Sequence, residues 1–428
     1  MLQPIFPTEL VFEIVLWVNV DFIDFDRCRT LFSCCLVSRS WLAIAQPLLF
    51  SRVILKVGMA RREDLATTII NYPKVKQYIH QLQLDIRPFG SGNPVQDVVV
   101  LAGTLGGWKF RGLRLENALG GFISQSFLTL PPSDRLTSLS LRAINVVPSL
   151  LTSLPSTLRE LQLRDVYVEN LQSLISGSYT SNLGHWTPSP RPRIQKLSIT
   201  NGHRIVSWFC QPHCHLDLSQ LETLLLCEDG FIGNLEIVRL FLCMVGPTIQ
   251  HLFLDLPSNV SGSLMIPSGS RLPLEDMKQI KSISLRLSTH NTGFLRIVDF
   301  LKHLPGGQLE EFCIYTVPMV KKLAHAPGWG ILDDELTVKG THVYICPPAS
   351  TRVYTRGEKD KVLLATIFRL APTLYNQGRL TVIPSFGPSM PVKDDLKAPL
   401  SSLGPTYIPV NSSGAKMRRA LWRFALSN

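Results

Sequence analysis

A six-residue apolar pattern, Leu-x-x-Leu-x-Leu with Ile or Phe allowed, occurs nine times along the chain. The last two apolar residues of each copy lie two positions apart, so they share one face of a short strand, and the residue between them points to the opposite face. Each copy therefore predicts a strand, a turn and an apolar segment that returns as a helix or irregular arm, as in 235–245. The copies are Ile79/Leu82/Leu84, Phe110/Leu113/Leu115, Leu136/Leu139/Leu141, Leu158/Leu161/Leu163, Ile194/Leu197/Ile199, Leu221/Leu224/Leu226, Ile249/Leu252/Leu254, Ile280/Ile283/Leu285 and Leu309/Phe312/Ile314.

The spacing of these copies predicts a repeat architecture. Successive middle residues lie 22 to 36 residues apart, which fits leucine-rich repeats of roughly 20 to 29 residues with loop insertions. Three buried side chains contribute about 5 to 9 kcal/mol, whereas ordering the backbone of one repeat costs at least about 1 kcal/mol per residue. A single repeat cannot fold alone, so the copies must stack into one solenoid. The alternative is coincidence in a leucine-rich α/β protein.

The first fifty residues predict three short helices. Pro7 with the following Thr-Glu is a helix start signal, and Leu10, Ile14 and Trp17 recur at helical spacing. Three helices of this size form too small a core for comfortable independent stability, so part of their apolar surface is expected to dock on a partner. The predicted spans begin at Pro7, cover 29–37, and run from Ser38 or Ser40, the candidate cap, to Phe50.

Three sequence blocks in this segment resemble the F-box motif, and they occur in the order of that motif. The blocks are Pro7-Thr8-Glu9-Leu10 with Ile14, Cys35-Leu36-Val37-Ser38-Arg39-Ser40-Trp41, and Pro47-Leu48-Leu49-Phe50. Two features depart from the motif: Phe6 replaces a leucine, and the segment 19–29 is longer than a minimal inter-helix turn. Together with the repeats, the blocks resemble an F-box protein with leucine-rich repeats, of the fungal-type F-box-like family.

The resemblance implies a function and a set of adaptor-binding residues. In that family the F-box binds an adaptor that links it to the cullin of a ubiquitin ligase, and the repeats capture the protein substrate. The chain is then a non-catalytic substrate-recognition subunit of such a ligase. The alternative is a repeat scaffold whose N-terminal helices serve structure or a non-ligase partner. The adaptor-binding residues implied by the match are Phe6, Pro7, Leu10, Ile14, Leu36, Val37 and Trp41.

The predicted fold is α/β, with a short three-helix F-box followed by a leucine-rich-repeat solenoid whose parallel strands line the concave face. We expect the F-box at 1–52, the solenoid with an irregular C-terminal cap at 53–383, and a flexible tail at 384–428. The tail ends in a short basic amphipathic segment that either contacts a membrane or partner or folds back on the solenoid. Within the solenoid we expect proline-rich insertions at 176–193 and 257–273, a helix at 359–370 and a strand at 380–383.

The parity of the strands also predicts a substrate-binding surface on the concave face. Leu225 and Phe253 occupy positions where a solvated strand would carry polar residues, so they predict an exposed apolar patch. We expect this surface to recognise a segment with acidic or phosphorylated residues near an apolar one, unless loops or the C-terminal arm cover it. The predicted substrate-binding residues are Arg142, Arg164, Lys196, Leu225, His251, Phe253, Arg286 and Tyr315.

Composition and charge narrow the partners. The 428 residues carry a net charge of +11, but basic charge alone gives weak, salt-sensitive attraction to polyanions, and no zinc finger or RNA-binding signature accompanies it. The expected partners are therefore the adaptor, the cullin and a protein substrate, with no nucleic acid. No segment has the roughly 20 uninterrupted apolar residues of a membrane span. Nine cysteines, an odd number, favour thiols in a reducing compartment, so we expect the cytoplasm, the nucleus or both.

No pattern of catalytic or cofactor-binding residues stands out. Cys210, His213, Cys214 and His215 have metal-ligating chemistry, but they lie within six residues of each other, whereas structural zinc sites join two separated pairs. A plain loop is the favoured interpretation. The triplet Asp333-Asp334-Glu335 is interpreted as a solvated turn rather than a paired acid site. The sequence thus predicts no enzyme activity, no cofactor and no metal site.

Overall fold

A parallel β-sheet with helices along one side dominates the structure, a computed structural model. It describes residues 7–21, 24–57, 77–86, 111–116, 122–123, 135–176, 190–227, 235–256, 274–287, 301, 309–316, 328–346 and 368–382. The α-helices in this part of the chain are α1 (Thr8–Asp21), α2 (Asp24–Cys35), α3 (Arg39–Leu49), α4 (Pro148–Thr152), α5 (Leu171–Ile175), α6 (His203–Phe209), α7 (Leu235–Val245), α8 (Trp329–Lys339) and α9 (Pro372–Asn376). The strands are β1 (Arg52–Val57), β2 (Gln81–Ile86), β3 (Gly112–Glu116), β4 (Phe122–Ile123), β5 (Ser138–Val146), β6 (Glu160–Val168), β7 (Lys196–Thr200), β8 (Thr223–Cys227), β9 (His251–Leu256), β10 (Ser282–Leu287), β11 (Glu311–Thr316), β12 (His342–Cys346) and β13 (Leu380–Val382).

The order of the strands follows the order of the chain. Twelve strands form one path, β1-β2-β3-β5-β6-β7-β8-β9-β10-β11-β12-β13, and β4 pairs beside it with β5. Every strand pair described is parallel. The predicted α/β class is confirmed, and a sheet in which each strand lies beside its predecessor is compatible with a solenoid-like stack of repeats.

The apolar pattern forms the core of this sheet. Its middle residues pair strand by strand, as in Leu161↔Leu197↔Leu224, so the leucines stack in continuous rows. Every described apolar residue of the nine copies is buried; Phe110 lies outside the described residues. Helix α7 fills the predicted segment 235–245 and contributes Phe241 to the same core. The three-position pattern therefore identified the buried ladder correctly.

Four of the described strands lie outside the nine copies, and one of them is the two-residue β4. Strand β1 was missed because Val53 takes the middle position of the pattern, where valine was not allowed, although Val53 is buried like the leucines. Strand β12 was missed because Val343 takes the middle position and Gly340 the first. Strand β13 matches the predicted terminal strand, except that Ile383 lies outside the described residues. Of the predicted helix at 359–370, only 368–370 are described, and these are helical.

The acidic triplet near the C-terminal end of the sheet is not a solvated turn. Asp333 lies in α8 and is 3% exposed. Its carboxylate accepts hydrogen bonds from the backbone N–H groups of Thr373 (2.9 Å) and Leu374 (2.8 Å) at the start of α9. The cap residue of α9 is Ala371, which provides no side-chain acceptor, so Asp333 takes that role from a helix about 40 residues away. The prediction failed because this partner is distant in sequence.

No helix in the described ranges is long and apolar enough to cross a bilayer. The predicted tail at 384–428 and the insertion at 257–273 lie outside the described residues, as does most of the insertion at 176–193.

Candidate functional site

The N-terminal helices α1, α2 and α3 form a unit with a core of its own. Val11 and Val15 of α1, Leu31 and Cys34 of α2 and Ala45 of α3 are buried against one another, apart from the leucine core of the sheet. Burial raises the pKa of the Cys34 thiol, which keeps it neutral inside this core. Because this unit is small, much of its apolar content lies on its surface, where a partner could bind.

The N-cap of α3 and the connection between α1 and α2 differ from what the sequence predicts. Helix α3 is capped by Ser38, not Ser40: the Trp41 N–H donates to Ser38 Oγ at 3.3 Å, and Ser40 Oγ instead lies 2.8 Å from Ser38 Oγ. The segment 19–29, expected as a long turn, is helical up to Asp21 and again from Asp24. Only residues 22 and 23 separate the helices, and they lie outside the described residues.

Most adaptor-binding positions implied by the motif lie on the surface of this unit. Leu36 is 72% exposed and Val37 is 62% exposed. Pro7 and Leu10 are also exposed, whereas Ile14 and Trp41 are half-buried, with Trp41 packed against the helical core. Phe6 lies outside the described residues.

Three further exposed apolar side chains on this unit were not singled out from the sequence: Phe12, Phe32 and Leu42. Phe32 lies in the last turn of α2, and Leu36 directly follows the end of that helix at Cys35. Leu42 lies in the first turn of α3, where its N–H donates to Ser38 O at 2.9 Å. We call Phe32, Leu36, Val37 and Leu42 the helical patch. The signal that could have revealed it was the exposed apolar Phe32 four residues before Leu36, next to the buried Leu31.

The second candidate surface is the face of the sheet opposite the leucine core, which we call the second face. The strand register places the intervening residue of each repeat in one continuous row on this face. From β2 to β12 that row is Gln83, Arg114, Ser140, Gln162, Ser198, Leu225, Phe253, Ser284, Cys313 and Tyr344.

The apolar pair expected on this face is only partly accessible. Leu225 and Phe253 are register partners on β8 and β9, as the parity rule requires. However, Leu225 is 7% exposed and Phe253 is half-buried, so the prediction of an exposed Leu225 was wrong. Neighbouring strands lie only about 4.8 Å apart, and Leu225 is therefore flanked closely by Phe253 and by Ser198, which is itself buried.

Of the cations predicted on this face, the three whose side chains are described, Arg142, Arg164 and Lys196, have carboxylate neighbours. Arg142 Nη1 lies 3.4 Å from Glu116 Oε1, and Arg114 also pairs with Glu116. The Lys196 ammonium donates to Glu160 at 2.5 Å. Arg164 Nε lies 3.5 Å from Asp165 Oδ2. These carboxylates offset much of the positive charge that the sequence predicted for the second face.

The His251 side chain interacts with a serine on the neighbouring strand. Its Nδ1 lies 2.7 Å from Ser282 Oγ on the next strand. Burial, followed by the nearby Lys281 ammonium, lowers the pKa of His251 below its usual range. The ring is therefore neutral at pH 7 and adds no positive charge. Arg286 and Tyr315 are register partners at the far end of β10 and β11, but their side chains lie outside the described residues.

The two thiols of the cysteine and histidine cluster after α6 are protonated at neutral pH. Burial raises the pKa of Cys210 to about 11 and that of Cys214 to about 12. Burial also lowers the pKa of His215, helped by Arg191 and His213. Metals bind thiolates rather than thiols, and no group of three potential ligands with metal-binding geometry occurs in the described part of the chain.

These shifts give a prediction for cysteine labelling. At about pH 8, a pKa of about 12 leaves roughly one Cys214 in 10⁴ as thiolate. We expect iodoacetamide to modify the exposed Cys243 on α7 at least about a hundred times faster than Cys214, as measured by mass spectrometry over time. Burial of these thiols favours the folded state only while they are protonated. Their contribution to the free energy of unfolding is therefore complete below about pH 9 and is lost as the pH rises towards the folded-state pKa values of about 11 and 12. Equal labelling rates in the native protein would contradict the burial of Cys214, and denatured protein serves as the control.

Comparison with known proteins gave no match to this chain, either among family models or among curated proteins. The two surfaces described above therefore carry the functional argument.

Proposed function

We propose that this chain is the substrate-recognition subunit of a cullin-based ubiquitin ligase. In this proposal residues 1–52 form an F-box that binds the adaptor, and 53–383 form a leucine-rich-repeat solenoid that binds the protein substrate. The chemistry belongs to the partner enzymes, and this chain supplies proximity between them and the substrate.

The observation that carries the proposal is the exposure of Leu36 and Val37, the two residues of the helical patch at motif positions. Leu36 and Val37 match the F-box motif and are among the most exposed large apolar side chains in the described residues. An apolar side chain contributes about 1.5 to 3 kcal/mol when it is buried, so a patch of four such residues in a small unit favours a partner that covers it. The parallel sheet supports the second half of the proposal, because stacked repeats present an extended binding surface.

The test is capture of the purified ligase adaptor and cullin by the full chain. The double variant Leu36→Asp/Val37→Asp places two charges in the contact area, and we expect its affinity for the adaptor to fall by about a hundredfold or more. Isothermal titration with the adaptor, followed by co-elution with the cullin, measures this.

A matched control separates the patch from general apolar stickiness. Val338 on α8 is also strongly exposed, and Val338→Asp should leave adaptor binding within about twofold. If the wild-type chain captures no adaptor, the ligase proposal fails, and the alternative of a repeat scaffold with non-ligase partners replaces it.

A further inference from the structure

Arginines cluster along the edge of the sheet where strands β3, β5, β6 and β7 begin. We call this set the basic edge. Hydrogen bonds link the backbone there rung by rung: the Thr137 N–H donates to Arg111 O, and the Arg159 N–H donates to Thr137 O, each at 2.8 Å. Arg111 and Arg159 are therefore two strands apart. The residues of the basic edge are Arg111, Arg135, Arg159, Arg191 and Arg193.

In the described part of the chain, most of the charge of this edge is uncompensated. Arg111 and Arg135 are exposed, and no ion pair joins either of them to a carboxylate in the described part of the chain. The Arg159 guanidinium donates to two backbone carbonyls, those of Ser156 and Leu158, each at 2.8 Å. These carbonyls orient the group without neutralising it.

Among the described residues, Asp217 is an acid that faces this edge. Its Oδ2 lies 3.7 Å from Arg193 Nε. A hydrogen bond from Ser219 lowers the pKa of Asp217, and the charges of Arg193 and Arg191 lower it further. One carboxylate therefore faces two arginines, while the neighbouring Glu160 is paired with Lys196.

The same edge is not basic farther along the sheet. The rungs continue through Glu222, Gln250, Lys281 and Glu310, which are two acids, one neutral amide and one base. The excess of positive charge is thus confined to the part of the edge nearer the N-terminal helices.

We propose that the basic edge binds an extended acidic segment of a protein partner, with carboxylates about three residues apart. Two strand spacings place Arg111 and Arg159 about 9.6 Å apart, and three residues of an extended peptide cover about 10 Å. Guanidinium groups bind carboxylates in a planar, bidentate geometry. This inference rests on the proposed function in one respect, because it identifies the acidic segment as part of the protein that the solenoid captures.

Two features favour a peptide at this edge over other ligands. Proteins that bind single-stranded nucleic acid combine positive charge with aromatic side chains on which bases stack, and the described rungs that carry the basic edge have no aromatic residue between Arg111 and Gln195. The arginines of the second face, Arg142 and Arg164, already have carboxylate neighbours. An acidic segment therefore gains more from the basic edge than from the second face.

The experiment measures binding of a fluorescein-labelled peptide to the purified full chain by fluorescence anisotropy. The probe is about ten residues long, with glutamate at every third position, and its control peptide carries glutamine at those positions. Arg111→Gln/Arg135→Gln should weaken binding of the glutamate peptide by about fivefold to tenfold. Arg142→Gln/Arg164→Gln removes the same charge from the second face and should change it by less than about twofold. Wild-type binding should weaken as the ionic strength rises.

Three results would overturn the inference. They are equal effects of the two double variants, equal binding of the glutamate and glutamine peptides, and tighter binding of an oligouridylate of matching length that is lost in Arg111→Gln/Arg135→Gln. The last result would assign the edge to nucleic acid. Since the assay contains no adaptor, peptide binding and adaptor binding can fail independently, and Leu36→Asp/Val37→Asp should leave peptide binding unchanged.

Discussion

Substitution of Leu242 by alanine is expected to lower the free energy of unfolding by about 2 to 5 kcal/mol. The same substitution at Leu240, two residues away on α7, is expected to change it by less than about 0.5 kcal/mol. Leu242 is 0% exposed and packs in the leucine core, whereas Leu240 is 53% exposed. The two variants remove the same atoms from the same helix, so the difference between them isolates burial against the sheet.

Chemical denaturation followed by circular dichroism measures both variants. The large effect at Leu242 follows from a lost transfer free energy and from the cavity that the removed atoms leave. Because each repeat contacts only its neighbours, the loss should also increase hydrogen exchange in β8 and β9, on either side of α7 in the chain. Similar destabilisation at Leu240 and Leu242 would mean that α7 presents a different face to the sheet.

The buried ladder could be predicted from the sequence because it depends on local parity. Leu224 and Leu226 lie two residues apart in a five-residue strand, and that spacing alone assigns them to one face. The rule failed for β1 and β12 where valine and glycine replaced leucine at pattern positions. Their burial depends on neighbouring strands, which a single-repeat pattern does not contain.

The electrostatics of the candidate surfaces could not be predicted in the same way. Glu116 and Arg142 are 26 residues apart, and they meet only because Arg142 is the register partner of Glu116 on the next strand. Gln83 Nε2 donates to the same carboxylate at 3.1 Å from the preceding strand. Which arginines remain uncompensated is therefore a property of register. Register explains why the sequence favoured Arg142, whereas the acid beside Arg164 is its sequence neighbour Asp165. The structure therefore favours the basic edge.

The two proposed surfaces are connected through the backbone. The Ser51 carbonyl, directly after α3, accepts hydrogen bonds from the N–H groups of His80 and Gln81, each at 3.0 Å. His80 O then accepts from the Arg111 N–H at 2.8 Å. The helical unit thus joins the sheet at the same edge, two strand spacings, or about 10 Å, before Arg111. An acidic segment held at the basic edge would lie close to the helical unit that we propose binds the adaptor, and this closeness would suit a receptor that acts by proximity.

The second large effect is expected at Asp333, which joins α8 to the start of α9. Replacement by alanine removes two hydrogen bonds to a buried carboxylate and leaves the N–H groups of Thr373 and Leu374 without that acceptor. Hydrogen bonds to charged groups contribute about 1.5 to 3 kcal/mol each, so we expect Asp333→Ala to lower the free energy of unfolding by about 3 kcal/mol or more. Asp333→Asn, which keeps one acceptor oxygen, should lose less.

Asp334→Ala is the matched control, because the neighbouring carboxylate is exposed and its removal should cost less than about 0.5 kcal/mol. Hydrogen exchange of the Thr373 and Leu374 amides locates the effect. Their protection should fall in Asp333→Ala before protection is lost in the central strands, because Leu374 and Leu380 belong to the end of the core and a terminal repeat can open alone. Unchanged protection of these two amides in Asp333→Ala would show that another group caps α9 and that Asp333 does not hold the C-terminal end in place.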